Sequence, residues 1–168
     1  MIDNELQKRI LSSIILLPIT IFFIFKGSIF FLFFLSLIFL AVTYEWYNMN
    51  KNNKLIRIFG IIFLFFSFFI AFYLRKNSFN FFLLIIVVCI FTDIGGYIFG
   101  KVFKGLKLTK ISPNKTLSGV IGSFLISLIA GLIYLDYAGN RDIFIKDHLK
   151  IFLLILFISF VSQLGDLI

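Results

Sequence analysis

Three acidic residues stand inside or at the end of long apolar runs: Glu45, Asp93 and Asp166. An ionised carboxylate at mid-bilayer costs at least about 2.5–3.5 kcal/mol on insertion scales, so such a residue has a partner or a task. Carboxylates gathered near a basic loop suit a hard divalent cation such as Mg²⁺, which takes oxygen ligands. Asp93 and Asp166 are the candidates for that chemistry. Glu45, in Glu-Trp-Tyr at a helix end, reads instead as an interfacial anchor. The remaining acids, Asp3, Glu5, Asp136, Asp142 and Asp147, lie in polar segments or at a span end and read as solvated surface charge.

A second group of chemically able residues follows Asp93. The stretch from Lys101 to Thr116 holds five lysines and no acid. Taken alone, it suits a cytoplasmic loop lying on anionic lipid. Its end suggests more. Ser112-Pro113 predicts an N-cap followed by the first residue of a helix, with free N–H groups and the positive dipole end exposed. Ser112, Lys115 and Thr116 would then form a phosphate cradle in one helical turn, without the glycine pattern of a Walker A loop. Upstream, Gly95, Gly96 and Gly100 thin one stretch of helix, which admits either a neighbouring helix or a ligand close to the backbone.

The elements that position these residues follow from composition. The chain has 168 residues, 61% hydrophobic and only 14% charged, with a mean hydropathy of +1.08. A soluble domain carries about 25% charge, so most of this surface faces something other than water. The composition also excludes a disordered chain, a secreted disulfide scaffold (Cys89 is the single cysteine) and a nucleic-acid binder. The 26 phenylalanines are given no functional weight. Runs long enough to cross a hydrocarbon core need about 20 mostly apolar residues. Six qualify or nearly so: Ile10–Phe25, Ser28–Tyr47, Ile56–Leu74, Phe79–Gly100, Leu117–Tyr137 and Ile151–Ile168. Pro18 predicts a kink in the first. That run follows Lys8-Arg9, so a signal peptide is the alternative, but no small-x-small cleavage site follows it. The expected fold is all-α, a polytopic membrane bundle of about six transmembrane helices in a single domain over residues 1–168.

Numbering the connections alternately puts ten basic residues on the side of the N-terminus and six on the other. By the positive-inside rule the N-terminus is cytoplasmic. All three membrane acids then fall toward the cytoplasmic ends of even-numbered spans. Asp93, fourteen residues past Phe79, lies about 21 Å along its helix. A proton relay would string acids through the full thickness, whereas these gather at one depth. The last run closes on Gly165-Asp166-Leu167-Ile168 without a polar flank, which predicts an N-terminal portion of a longer protein.

Asp93-Ile-Gly-Gly-Tyr97, Phe99-Gly100-Lys101, Ser112-Pro113-Asn-Lys115-Thr116-Leu-Ser-Gly119 and Ser162-Gln-Leu-Gly165-Asp166-Leu167 resemble, in order and spacing, the phosphatidate cytidylyltransferase (CDP-diacylglycerol synthase) family. Lys8-Arg9 before the first span and Glu45-Trp46 in the second agree with it, so the resemblance covers nearly the whole chain. There are departures. Gly96 stands where the family usually has Ala, and Ser118-Gly119 where it usually has Glu-Gly, which puts any role for that acid in doubt. The stretch from Trp46 to Asp93 is shorter than usual. The family's longest signature, with Lys-Asp, His-Gly-Gly and a second aspartate, is absent, so the resemblance implies a truncated and inactive portion of the enzyme.

The resemblance implies a magnesium-dependent nucleotidyltransferase of the bacterial inner membrane that condenses CTP with phosphatidate. It assigns Asp166 to metal binding and catalysis, with Asp93 beside it as ligand or substrate contact. Ser112, Lys115, Thr116 and Tyr97 are the implied substrate-binding residues. The implied partners are CTP, phosphatidate and membrane lipids, with no nucleic acid and with a homodimer as the assembly to test. Three alternatives stay open: a CTP-dependent polyprenol or phytol kinase, an ion-coupled transporter using Asp93 and Asp166, and an inert membrane piece.

Overall fold

The computed structural model describes residues 4–51, 53–103, 115–138 and 148–165. Among them every regular element is an α-helix: α1 (Asn4–Lys26), α2 (Ser28–Met49), α3 (Lys54–Asn77), α4 (Phe79–Phe103), α5 (Leu117–Tyr137) and α6 (His148–Gly165). Each coincides with one of the six apolar runs. α2 to α5 are long and apolar enough to cross a membrane, and α1 and α6 carry shorter apolar stretches, Ile14–Lys26 and Leu149–Gly165. Most large apolar side chains point outward, Phe59 at 75% and Leu55 at 83% exposure among them. An inside-out distribution of this kind is stable in lipid, not water. The molecule is a helical membrane bundle.

The chain divides into two compact units, Met1–Asn77 and Ser78–Ile168. In the first, α1 runs through Pro18 as one helix, and the turn to α2 is made by Gly27 at φ 66° and ψ −163°. That backbone region is essentially restricted to glycine. Arg75, from the end of α3, donates from Nε and Nη2 to the Ile24 carbonyl at 3.2 and 2.9 Å. A cation thereby satisfies a carbonyl in the last turn of α1, where the helix dipole is negative. Phenylalanines join the helices: Phe23 stacks on Phe34 at 4.9 Å, and Phe39 meets Phe68 edge-on at 5.4 Å. Asn50 ends α2 by donating from its backbone and its side chain to the Trp46 carbonyl, both at 3.2 Å.

In the second unit, α4, α5 and α6 pack mutually. Their core is Leu84, Val88, Leu135 and Ile155, flanked by Leu128, Leu132 and Ile158. A Cβ on Gly131 would stand 2.8 Å from the Ile155 side chain, so glycine there admits that core residue. This unit carries the candidate site.

Candidate functional site

The site begins as a seam of small residues. A Cβ on Gly95 would come within 2.6 Å of the Gly122 carbonyl oxygen, and one on Gly119 within 2.9 Å of the Gly96 carbonyl oxygen. Gly100 faces the Thr116 hydroxyl, which a Cβ would approach to 3.1 Å. The backbones of α4 and α5 thus touch, as small residues allow between membrane helices. Of the two readings open for these glycines, helix packing accounts for Gly95 and Gly122. Gly96 and Gly119 do both: they hold the seam and line a cavity.

The start of α5 corrects one expectation. The helix begins at Leu117, and its N-cap is Thr116, extended at φ −117° and ψ 154°, whose side chain accepts from the Gly119 N–H at 3.2 Å. Ser112-Pro113 is therefore not the cap of this helix, and Lys115 precedes the cap and does not share the first turn. The reason is local. Thr116 stands three residues before Gly119, the spacing at which a capping oxygen reaches a free N–H. Ser118, which replaces the family's acid, lies with its Oγ 3.0 Å from Thr116 Oγ1 and so supports the cap.

Beside the cap is a cavity of about 250 Å³. Asp93, Gly96 and Tyr97 of α4 form one wall, Lys115, Thr116 and Gly119 another, and Gln163 of α6 reaches it as well. Ordinary small-molecule pockets run to about 300–1,000 Å³, so the space between the described residues has room for phosphate groups. Tyr97 is largely exposed, and its hydroxyl accepts from Lys101 Nζ at 3.4 Å. Lys115 is half-buried and Asp93 exposed. The hollow therefore offers a cation, a carboxylate and several hydroxyls at one end of the glycine seam.

Of the residues singled out in the sequence, Asp93, Tyr97, Lys115 and Thr116 come together here. Ser112 and Asp166 lie outside the described residues. Glu45 is exposed near the end of α2, as an interfacial anchor would be. α4 continues to Phe103, so Asp93 stands in the helix interior, farther from its end than the apolar run alone implies.

The described residues contain no group of three or more His, Cys, Asp or Glu arranged to hold a metal. The possible ligands in the cavity are oxygens: the Asp93 carboxylate and the hydroxyls of Thr116 and Ser123. That hard donor set fits Mg²⁺, which is commonly held by one or two carboxylates with substrate phosphates completing the shell.

Two features escaped the sequence. Thr92 and Ser159, both essentially fully buried, approach to 3.0 Å and tie α4 to α6. Gln163 enters the cavity wall with its Nε2 buried and unpartnered among the described residues. A polar stripe at Ser159, Ser162 and Gln163 interrupts an otherwise apolar run, and its i, i+3, i+4 spacing is the signal that could have found it. A second hollow of about 430 Å³, between Val87 and Phe91 of α4 and Ile126, Ile129 and Ile133 of α5, has a purely apolar lining. It suits hydrocarbon.

The profile described as the cytidylyltransferase family matches residues 52–168. The phosphatidate cytidylyltransferase of Rickettsia bellii is 30% identical over 98% of this chain and 73% of its own length. That of Rickettsia conorii is 28% identical over 98% of this chain and 74% of its own length. The phosphatidate cytidylyltransferase of Staphylococcus haemolyticus is 38% identical over a shorter stretch, 56% of this chain and 35% of its own length. No solved structure gives a significant match.

Proposed function

Because this chain belongs to the cytidylyltransferase family, we infer that it condenses CTP with phosphatidate to CDP-diacylglycerol and pyrophosphate, a step of phospholipid synthesis in a bacterial membrane. An oxygen of the lipid phosphate attacks the α-phosphorus of CTP and a new P–O bond forms. The bond from that phosphorus to the bridging oxygen of the β-phosphate breaks, and pyrophosphate leaves with the electron pair. Both reactants are anions, so the reaction is limited by positioning and by charge stabilisation.

The observation that supports the reading best is the cavity itself, in which Lys115, Thr116 and Asp93 share a space sized for phosphate. Lys115 offsets phosphate charge, and the Thr116 hydroxyl, while capping α5, remains at the cavity wall. Asp93, together with Asp166, would hold Mg²⁺, which when bound neutralises charge on the phosphates. Ser112 is assigned to the same phosphate contacts on the family resemblance, and Tyr97 to the substrate side of the opening. The ten-to-six distribution of basic residues supports a cytoplasmic N-terminus in the inner membrane, with the segment from Lys101 to Thr116 on the side where CTP is found.

The test is direct. The full-length protein that carries this chain, purified in detergent and given labelled CTP and phosphatidate, is expected to form CDP-diacylglycerol and pyrophosphate in equal amounts. Release of CDP with phosphorylation of a polyprenol would favour the kinase alternative, and no product from CTP and phosphatidate would defeat the reading. For the orientation, Lys107→Cys should resist an impermeant thiol reagent applied outside sealed cells, and labelling there would reverse the topology.

A further inference from the structure

α6 presents Ser159, Ser162 and Gln163 as a polar stripe on an apolar helix. The stripe is fixed to α4 where Ser159 meets Thr92 at 3.0 Å. One turn beyond these two residues stand Gln163 and Gly96, and both line the 250 Å³ cavity. The register of α6 against α4 therefore delivers the Gln163 side chain to the cavity wall. There its Nε2 is buried, with no hydrogen-bond partner among the described residues. Buried polar groups in folded proteins are nearly always paired, so one left open at a cavity wall calls for a partner from what fills the cavity, a water or a ligand atom. A carboxamide nitrogen offers two N–H donors. The same lining holds the Lys115 ammonium and the Thr116 hydroxyl. Donors on this side of the cavity suit anionic oxygen, and the Asp93 carboxylate on the α4 wall suits a cation between it and that anion.

We propose that the Gln163 carboxamide donates a hydrogen bond to a phosphate oxygen of a bound substrate, making Gln163 a binding residue of this site. The assignment rests on the CTP–phosphatidate reaction inferred above. Both substrates carry phosphate, and kinetics separates them. With the full-length protein purified in detergent, KM for CTP and KM for phosphatidate are measured for wild type, Gln163→Leu and Gln163→Glu. Loss of one hydrogen bond to a charged group corresponds to about a ten- to hundredfold change. Gln163→Leu is expected to raise one KM on that scale, with a smaller effect on kcat. Gln163→Glu keeps the size and shape but turns a donor into an anion, and should raise the same KM further. It also carries the test if the leucine variant fails to fold.

A rise in KM for CTP assigns the contact to the nucleotide, and a rise in KM for phosphatidate assigns it to the lipid headgroup. Unchanged KM values for both substrates in a folded Gln163→Glu protein would overturn the proposal, as would a gain in activity, which would mean that an acceptor serves there. A wild-type protein that makes no CDP-diacylglycerol would instead defeat the functional reading, a distinct result from an active enzyme indifferent to Gln163.

Discussion

Thr92 and Ser159 bring two buried hydroxyls to 3.0 Å across the α4–α6 contact, while Thr92 Oγ1 also donates to the Val88 carbonyl at 2.7 Å. Thr92 Oγ1 is the donor toward both acceptors, so its one hydroxyl proton is shared between the Val88 carbonyl and Ser159 Oγ. Interhelical bonds of this kind in membranes contribute about 0.6 kcal/mol on average and up to about 1.7. Ser159→Ala and Thr92→Val should each lower the thermal midpoint in detergent by a few degrees. The double variant should lose less than the sum, because the second substitution finds the bond already gone. Strict additivity in that cycle would mean that the two hydroxyls act independently.

The glycine seam gives a sharper effect. At Gly95 an added methyl meets the Gly122 carbonyl oxygen at 2.6 Å, a backbone atom that cannot swing aside. Gly95→Ala must push α4 and α5 apart, and overpacking of this kind costs about 1–3 kcal/mol. The expected result is lower thermal stability together with weaker activity, since Gly96 and Gly119 lie in the same seam and line the cavity. A Gly95→Ala protein with wild-type melting would show that the helices are not in backbone contact.

In the N-terminal unit the corresponding point is Gly27. Its φ of 66° excludes ordinary side chains, and a Cβ there would run into the Arg75 guanidinium. Gly27→Ala is expected to cost about 1–3 kcal/mol, the range for residues forced into sparsely populated backbone conformations. Arg75→Met keeps the apolar stem but removes both bonds to the Ile24 carbonyl, and it should be destabilising as well. Thermal unfolding of each variant in detergent is the measurement; a Gly27→Ala protein as stable as wild type would contradict this turn geometry.

Lys115 precedes the α5 cap and lies outside that helix, so in the full-length protein its removal should affect chemistry more than folding. A hydrogen bond to a charged group is worth about 1.5–3 kcal/mol. Lys115→Ala is accordingly expected to lose about ten- to a hundredfold in kcat/KM for CTP at unchanged melting temperature. Unaltered kinetics would return this residue to the role of a lipid-facing loop lysine.

The fold was legible because lipid removes the usual ambiguity: a helix surrounded by hydrocarbon must be apolar nearly all round, and the six runs mark the six helices. Residue type alone singled out Asp93 and Lys115, and the structure places both at the wall of one cavity. What the sequence hid was partnership. Ser112-Pro113 has the form of a helix start, yet Thr116 wins because it is the residue spaced to reach the Gly119 N–H. Ser159 is one serine in an apolar run, and nothing local says that Thr92, 67 positions away, will meet it. The same holds for Gln163, whose neighbours come from α4 and the start of α5. The phenylalanines, uninformative as composition, turn out to stack α1 on α2 and to lock α2 to α3.

Asp93 and Asp166 should separate in their dependence on Mg²⁺. Asp93 is exposed at the wall of the cavity that Lys115 and Thr116 also line, and Asp166 is proposed as a metal ligand on the family resemblance. Because Mg²⁺ is held by few protein carboxylates and completes its shell with substrate phosphates, losing the principal ligand should be severe. In the full-length protein, Asp166→Asn keeps the shape and removes the charge, and is expected to abolish Mg²⁺-dependent turnover while leaving the protein folded. Asp93→Asn should raise the Mg²⁺ concentration needed for half-maximal rate and leave measurable activity at saturating metal. A titration of rate against Mg²⁺ for both variants decides the matter. Near-normal turnover in Asp166→Asn would remove that residue from the metal site, and an unshifted Mg²⁺ curve in Asp93→Asn would make Asp93 a substrate contact alone.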